Sequence, residues 1–273
     1  MTRYRSQRPP HRSGRKISNV WWTMSVPLLL FLLLPLLALI WRGNPMQIVS
    51  NLNNPTVIQA ILLSLKTSSI TTLVSFLFGT PLAFVMARTV FRGKRFLDTL
   101  IDLPTVLPPA VAGVALLMAF GRRGLLGGVL EMAGVTVGFT ETAVILAQTF
   151  IAAPLFVKTA VTGFAAIPHE LEQAAALDGA NSWYIFRFIT IPLSRPALLT
   201  GAVLTWARAL GEFGATIIFA GNFPGRTQTM PLAIYIGFEI DLNIALTLSV
   251  ILMGLSFLVL VLIKGLFWQD DEE

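Results

Sequence analysis

No cysteine occurs in the 273 residues. That excludes disulfides, thiolate metal sites and thiol nucleophiles. Histidine is almost as scarce: His11 sits in a polar tail and His169 in a loop, which leaves no basis for a histidine metal site or a triad. Charge is thin as well. Asp, Glu, Lys and Arg make up 12% of the chain, against about 25% in a soluble domain. There is no Gly-x-x-x-x-Gly-Lys-Ser/Thr loop to cradle a nucleotide. No nucleophile–base set, catalytic carboxylate pair or metal-ligand cluster takes its place. The expectation is a chain without a cofactor of its own and without enzymatic chemistry. If it moves something at the expense of ATP, ATP and Mg belong to a separate subunit.

What the chain has is apolar length. It is 55% hydrophobic, with a mean hydropathy of +0.73. Those values describe an all-α protein that crosses a membrane several times. The net charge of +6 and a pI near 10.2 would suit nucleic acid, but the basic residues cluster at the ends of apolar runs. There they act as topology signals, so lipid is expected as a partner and nucleic acid is not.

Residues 1–20 carry Arg3, Arg5, Arg8, Arg12, Arg15 and Lys16 among Pro, Ser and Gly, which reads as a disordered basic tail. A membrane-spanning body follows over residues 21–268, and residues 269–273 form an acidic end. The first span, Trp21–Trp41, is bounded by tryptophans as an interfacial belt would be and lacks a small-x-small cleavage site. Residues 42–55 read as an external loop, and 56–88 as one long helix with a kink at Gly79-Thr80-Pro81. Arg88, Arg92, Lys94 and Arg95 mark the next loop as cytoplasmic. The third span, about 97–120, contains Pro104, Pro108 and Pro109 and must break; such backbone is tolerated at membrane depth only against protein or water. Residues 121–140 form a short external helix and turn, and the fourth span covers about 141–166. The fifth, about 194–220, leads into an external loop, Gly221–Met230, and a partly inserted stretch, Pro231–Glu239. The sixth covers about 242–265.

With six spans and both ends inside, 14 of the 20 Lys and Arg fall on cytoplasmic segments and four on external ones. The opposite orientation would reverse the positive-inside bias. Both termini are expected in the cytoplasm.

Four stretches stand out as candidate sites. Arg208 and Glu212 are four apart and can pair on a helix. Charge at membrane depth usually faces the bundle interior or a water pathway, so the pair is either a gate element or a structural lock. Asp102, Pro104, Pro108, Pro109 and Gly113 either line a pathway or kink a packed helix. Asn222, Arg226, Thr227, Gln228 and Thr229 offer amides, hydroxyls and one guanidinium outside. A solvated loop is the ordinary reading of them; an anion-accepting mouth or a dock for an external partner is the other.

The fourth stretch, residues 167–192, reads as soluble helix lying between apolar runs. Pro168 suits a first helical turn, and Glu170 and Glu172 lie at the positive end of the helix dipole. Ala174, Ala175 and Ala176 give a smooth face, and Gly179 can take the left-handed turn that ends the helix. Asn181 or Ser182 can cap a second short helix, which Pro192 should stop. The spacing resembles the EAA signature of ABC importer permeases: Glu-Ala-Ala, three residues, Gly, nine residues, Ile-x-Leu-Pro. Here it falls on Gln173, Ala174, Ala175, Gly179, Ile189, Ile191 and Pro192, with Gln173 in place of Glu and Ile191 in place of Leu. In such permeases this helix seats in a groove of the ATPase subunit, which makes Glu172 to Pro192 the expected ATPase-coupling region.

The resemblance narrows over Arg208-Ala-Leu-Gly-Glu-Phe-Gly-Ala-Thr216 and Phe219-Ala-Gly-Asn-Phe-Pro-Gly-Arg-Thr-Gln-Thr-Met-Pro-Leu-Ala-Ile-Tyr235. With Asp102-Leu-Pro, Leu107-Pro-Pro and Phe120-Gly-Arg-Arg-Gly-Leu-Leu-Gly127, these segments look like the molybdate/tungstate permease family, over about residues 56–265. Sulfate/thiosulfate permeases share much of the pattern. The resemblance implies a homodimer in a bacterial cytoplasmic (inner) membrane, two ATPase subunits, an extracytoplasmic oxyanion-binding protein and transport by alternating access. An ion-coupled secondary transporter would need intramembrane carboxylates, and Glu212 alone is weak support for one.

Overall fold

A computed structural model describes residues 19–267. The expected tail lies outside them up to residue 18, as does the acidic end at 269–273. Every regular element among the described residues is helical.

The first helix, α1 (Asn19–Arg42), is a unit by itself. Pro27 and Pro35 lie within it, and its apolar run is long enough to cross a bilayer.

The second unit begins at Gly43. The stretch read as an external loop contains α2 (Pro45–Asn51) and the start of α3 (Pro55–Arg88). Two Asn-Pro pairs account for the difference. Asn44 Oδ1 accepts from the Met46 N–H at 3.0 Å and Asn54 Oδ1 from the Thr56 N–H at 2.9 Å. Each Asn caps a helix whose proline occupies the first turn, where no N–H is needed.

At 34 residues, α3 is about 50 Å long and overshoots a hydrocarbon core of about 30 Å. Its buried face is small and hydroxylated: Ser64, Thr67, Ser68, Thr71 and Ser75. Most of these hydroxyls satisfy themselves on their own helix; Ser75, for example, donates to the Thr71 carbonyl at 2.8 Å. Small side chains then let neighbouring helices approach closely. Gly79-Thr80-Pro81 does not interrupt α3. A Cβ on Gly79 would stand 2.6 Å from the Phe156 ring, so that glycine makes room for an aromatic neighbour.

The centre of the bundle is α7 (Glu141–Ala165). On one side Ala143, Val144, Ala147 and Ile151 pack against Ala112, Leu116, Ala215 and Phe219. On the other, Phe156, Ala160 and Phe164 meet Ala83 of α3 and Leu198. A third cluster joins Val57 and Ala60 to Leu210, Met230, Ala233 and Leu248.

The third span is two helices, α4 (Lys94–Val106) and α5 (Pro109–Phe120), bent by 114°. Pro104 lies inside α4, and the break falls at Leu107-Pro108. Beyond α5 come the short α6 (Gly127–Met132) and then α7. The knuckle is α8 (His169–Leu177) and α9 (Ser182–Ile185), with Pro168 just outside as the cap residue. Pro192 does not end it. From Ser182 the chain passes through a π-helical turn, Phe186–Thr190, directly into α10 (Ile191–Leu210). The wide turn and a place in the first turn of α10 accommodate the missing N–H. The fifth span breaks instead at Gly211–Phe213, before α11 (Gly214–Phe219). Two further helices, α12 (Met230–Ile240) and α13 (Leu242–Phe267), complete the chain. Five helices among the described residues are long and apolar enough to span a membrane, and α4–α5 as one bent span makes six.

Candidate functional site

The knuckle is fastened by one carboxylate. Glu172 Oε1 accepts from Arg88 Nη2 at 2.8 Å and from the Thr190 hydroxyl at 2.9 Å. Arg88 Nη2 also reaches the Ile167 carbonyl at 3.3 Å. Arg88 is the last residue of α3 and Thr190 the last of the π turn, so three elements meet on Glu172. The two charged side chains are only 7% and 16% exposed, which strengthens the pair relative to an open surface bridge. Gln173, by contrast, is exposed beside Ala174, Ala176 and Leu177. The charge missing at Gln173 is therefore not missed inside this chain: Glu172 makes the internal contact.

Gly179 has φ +88°. The Gly179 N–H bonds to the Ala176 carbonyl at 3.1 Å and that of Ala180 to Ala175 at 3.0 Å, a left-handed helix end that satisfies the final carbonyls. Asn181 Oδ1 accepts from the Tyr184 N–H at 2.8 Å and caps α9. Ala175, Ile189 and Pro192 are half-buried. Past Glu170, the exposed side of α8 is thus uncharged, on a helix held from behind by Glu172.

The two broken spans meet each other. A Cβ on Gly113 of α5 would lie 2.7 Å from Ile218 Cβ and 2.8 Å from the Ala215 carbonyl; one on Gly214 would lie 2.6 Å from Pro109 Cβ. Stretches about a hundred residues apart in sequence therefore interlock through glycine, break against break. Arg208 Nη1 and Glu212 Oε2 pair at 2.8 Å, but not along one continuous helix, because α10 ends at Leu210. Glu212 is 2% exposed, and its Oε1 accepts from the Ala215 N–H at 2.9 Å. One carboxylate thus holds Arg208 and caps α11 in the same stroke. The Arg208 side chain keeps about a third of its surface open (36%).

Asp102 stands apart from this junction. With Asp98 it flanks Lys158 of α7, at 2.8 Å and 2.6 Å respectively. Neither Lys158 nor Asp98 was singled out in the sequence, although Asp98 and Asp102 at i, i+4 are a like-charged pair that calls for a cation.

The loop at 221–230, read as external, is not simply solvated. Arg226 is exposed, but Thr227, Gln228 and Thr229 are buried. Thr227 Oγ1 accepts from the Phe223 N–H at 3.1 Å, and the Met230 N–H donates to Ser64 Oγ of α3 at 2.7 Å. Asn222 Nδ2 donates to the Leu232 carbonyl at 3.3 Å. Gly221 and Gly225, at φ +73° and +70°, turn the loop back into the bundle.

Residues 79–267 match the family of binding-protein-dependent transport system inner membrane components. The molybdenum transport system permease protein ModB of Mycobacterium tuberculosis is 41% identical over 231 residues, covering 85% of this chain and 88% of that one. ModB of Escherichia coli is 45% identical over 178 residues, 65% of this chain and 78% of that one. The fold is that of a bacterial alginate ABC transporter crystallised with an alginate-bound periplasmic protein. There the TM-score is 0.71 at 16% identity, over 93% of this chain and 95% of that one. An all-helical bundle with a capped knuckle on its end and two broken spans interlocked within it accords with these likenesses: the chain belongs to the binding-protein-dependent transport system inner membrane components and is the permease subunit of an ABC importer.

Proposed function

We propose that this permease carries molybdate and the similarly shaped tungstate dianion across the inner membrane. The observation that carries the cargo reading is 41% identity, over 85% of this chain, to a permease named for molybdenum transport. The cargo is delivered by an extracytoplasmic oxyanion-binding protein. Two copies of the chain enclose the pathway, and two ATPase subunits seat on their knuckles. The positive-inside bias supports a cytoplasmic knuckle and cytoplasmic termini.

The residues have separate tasks. Gln173, Ala174, Ala176 and Leu177 form the face offered to the ATPase, and Ala175 and Gly179 shape it. Glu172 passes its displacement to α3 through Arg88 and to α10 through Thr190. The interlocked breaks around Pro109, Gly113, Gly214 and Ala215 change the pathway between its two openings. A tight anion site within the membrane would hold the ion back, so discrimination rests with the binding protein. Arg208 is the one cation at the break, and Glu212 tempers its pull on a dianion.

Vesicles containing the permease, its ATPase and the cognate binding protein test this reading. Labelled molybdate should enter only with ATP, tungstate should compete, and sulfate should compete poorly. Sulfate uptake equal to molybdate uptake with every binding protein tried would replace the reading with a sulfate/thiosulfate permease.

A further inference from the structure

The π turn and the short helix before it carry an exposed surface apart from the Gln173, Ala174, Ala176 and Leu177 face. Trp183, Tyr184 and Phe188 each leave more than half of their surface open. Tyr184 and Phe188 stack at 4.5 Å, and Trp183 leans on Phe186 at 5.9 Å. The Arg187 guanidinium lies 5.7 Å from the Phe188 ring centroid. Arg187 and Arg195 are both exposed, and neither meets a carboxylate at ion-pair distance among the described residues.

The π turn explains how one short segment serves two sides. It sends Thr190 inward to Glu172 and leaves Arg187 and Phe188 outside. Ser182–Leu210 is helical for 29 residues, about 43 Å, while the hydrocarbon core needs about 30 Å. The excess at the knuckle end lies at headgroup level, where Trp and Tyr concentrate. The exposed segment then continues into Leu193 and Leu199 of the span, apolar side chains suited to acyl chains. Positive charge gathers at the same end, because Arg88 touches the knuckle and Arg92, Lys94 and Arg95 follow it.

We infer that Arg187, set against Phe188 and flanked by Trp183 and Tyr184, with Arg195 further along the same helix, binds the phosphate of an anionic phospholipid in the leaflet on the knuckle side. The guanidinium groups take the phosphate oxygens as charge-assisted donors, and the rings pack beside the glycerol and upper acyl chain. The lipid props the π turn from outside while Glu172 holds it from inside.

The test is lipid retention by the purified permease. After equilibration with equimolar palmitoyl-oleoyl phosphatidylglycerol and phosphatidylcholine in detergent, native mass spectrometry should find phosphatidylglycerol retained in preference. R187Q/R195Q should lower that preference roughly fivefold per arginine removed, and R187K/R195K should keep most of it. A second measurement does not depend on the charge variants folding. A bimane on a cysteine replacing Tyr184, the only cysteine in the chain, should be quenched by a lipid with a nitroxide on its headgroup. Unchanged phosphatidylglycerol preference in R187Q/R195Q, or an unquenched bimane, overturns the assignment. Preference unchanged while co-purified ATPase falls also overturns it and makes the patch part of the ATPase seat.

Discussion

Two carboxylates decide most of what single residues do here, and both are more connected than their sequence spacing indicates. Glu172 was legible as a charge near a helix N-terminus; its grip on Arg88 and Thr190 was not, because those contacts span 84 and 18 residues. Removing it leaves Arg88 shielded and without its carboxylate. Glu172→Ala should destabilise the purified protein by about 1–3 kcal/mol, and Thr190→Val by roughly 1 kcal/mol, as thermal midpoints would report. Both should lower uptake, Glu172→Ala more. An Arg88→Ala/Glu172→Ala double variant should cost less than the sum of the singles, because the two share one contact. Glu212 gives a sharper contrast. Its pairing with Arg208 was legible from the i, i+4 spacing, whereas its second role, accepting from the Ala215 N–H, depends on a helix break that the sequence reading did not place. Gln at 212 retains an amide oxygen that can accept that bond, and Ala does not. Glu212→Gln should therefore keep more uptake than Glu212→Ala. Arg208→Ala should impair gating or assembly more than it alters the order of molybdate, tungstate and sulfate in competition.

At the scale of elements, prolines marked the break in the third span correctly, because Leu107-Pro108-Pro109 removes two successive N–H groups. Pro192 misled, because a proline just inside a helix start is harmless. The break at Gly211–Phe213 carries no proline and was read through as helix. The external loop was misjudged for a related reason: its polar residues look solvated in sequence, yet Thr227 and Gln228 are buried and the adjoining Met230 N–H is spent on Ser64. The interlock of the breaks yields the element-level prediction. Gly113→Leu or Gly214→Val forces a side chain into backbone and ring atoms closer than 3 Å, which costs about 1–3 kcal/mol by overpacking. The strain is relieved by parting α5 from α11, so both variants should insert into the membrane and fail in uptake. Gly128→Ala, where a Cβ meets nothing within 4 Å, should transport normally and serves as the control.

For the whole molecule, six spans were legible because apolar length and flanking charge survive any detail of packing. Bundle order was not, since the inward face of α3 is marked by Ser and Thr rather than by large apolar residues, and the Phe156 and Phe164 it meets on α7 do not stand out within an apolar span. Sidedness is the remaining global property, and it rests on Lys and Arg placement alone. The absence of native cysteine makes it directly measurable. Asn53, between α2 and α3, and Arg226, at the tip of the external loop, are exposed, as is Asp178 at the end of the knuckle helix. Thr227 would be a poor reporter beside Arg226, because it is buried. With a cytoplasmic knuckle, N53C and R226C should react with a membrane-impermeant maleimide added to intact spheroplasts. D178C should react only after the membrane is opened, and less when the ATPase is co-expressed, because the seated subunit would cover it. Labelling of D178C in sealed spheroplasts together with protection of N53C and R226C would invert the protein. The knuckle would then face away from any cytoplasmic motor, and the coupling role given to Glu172 and its neighbours would fall with the orientation.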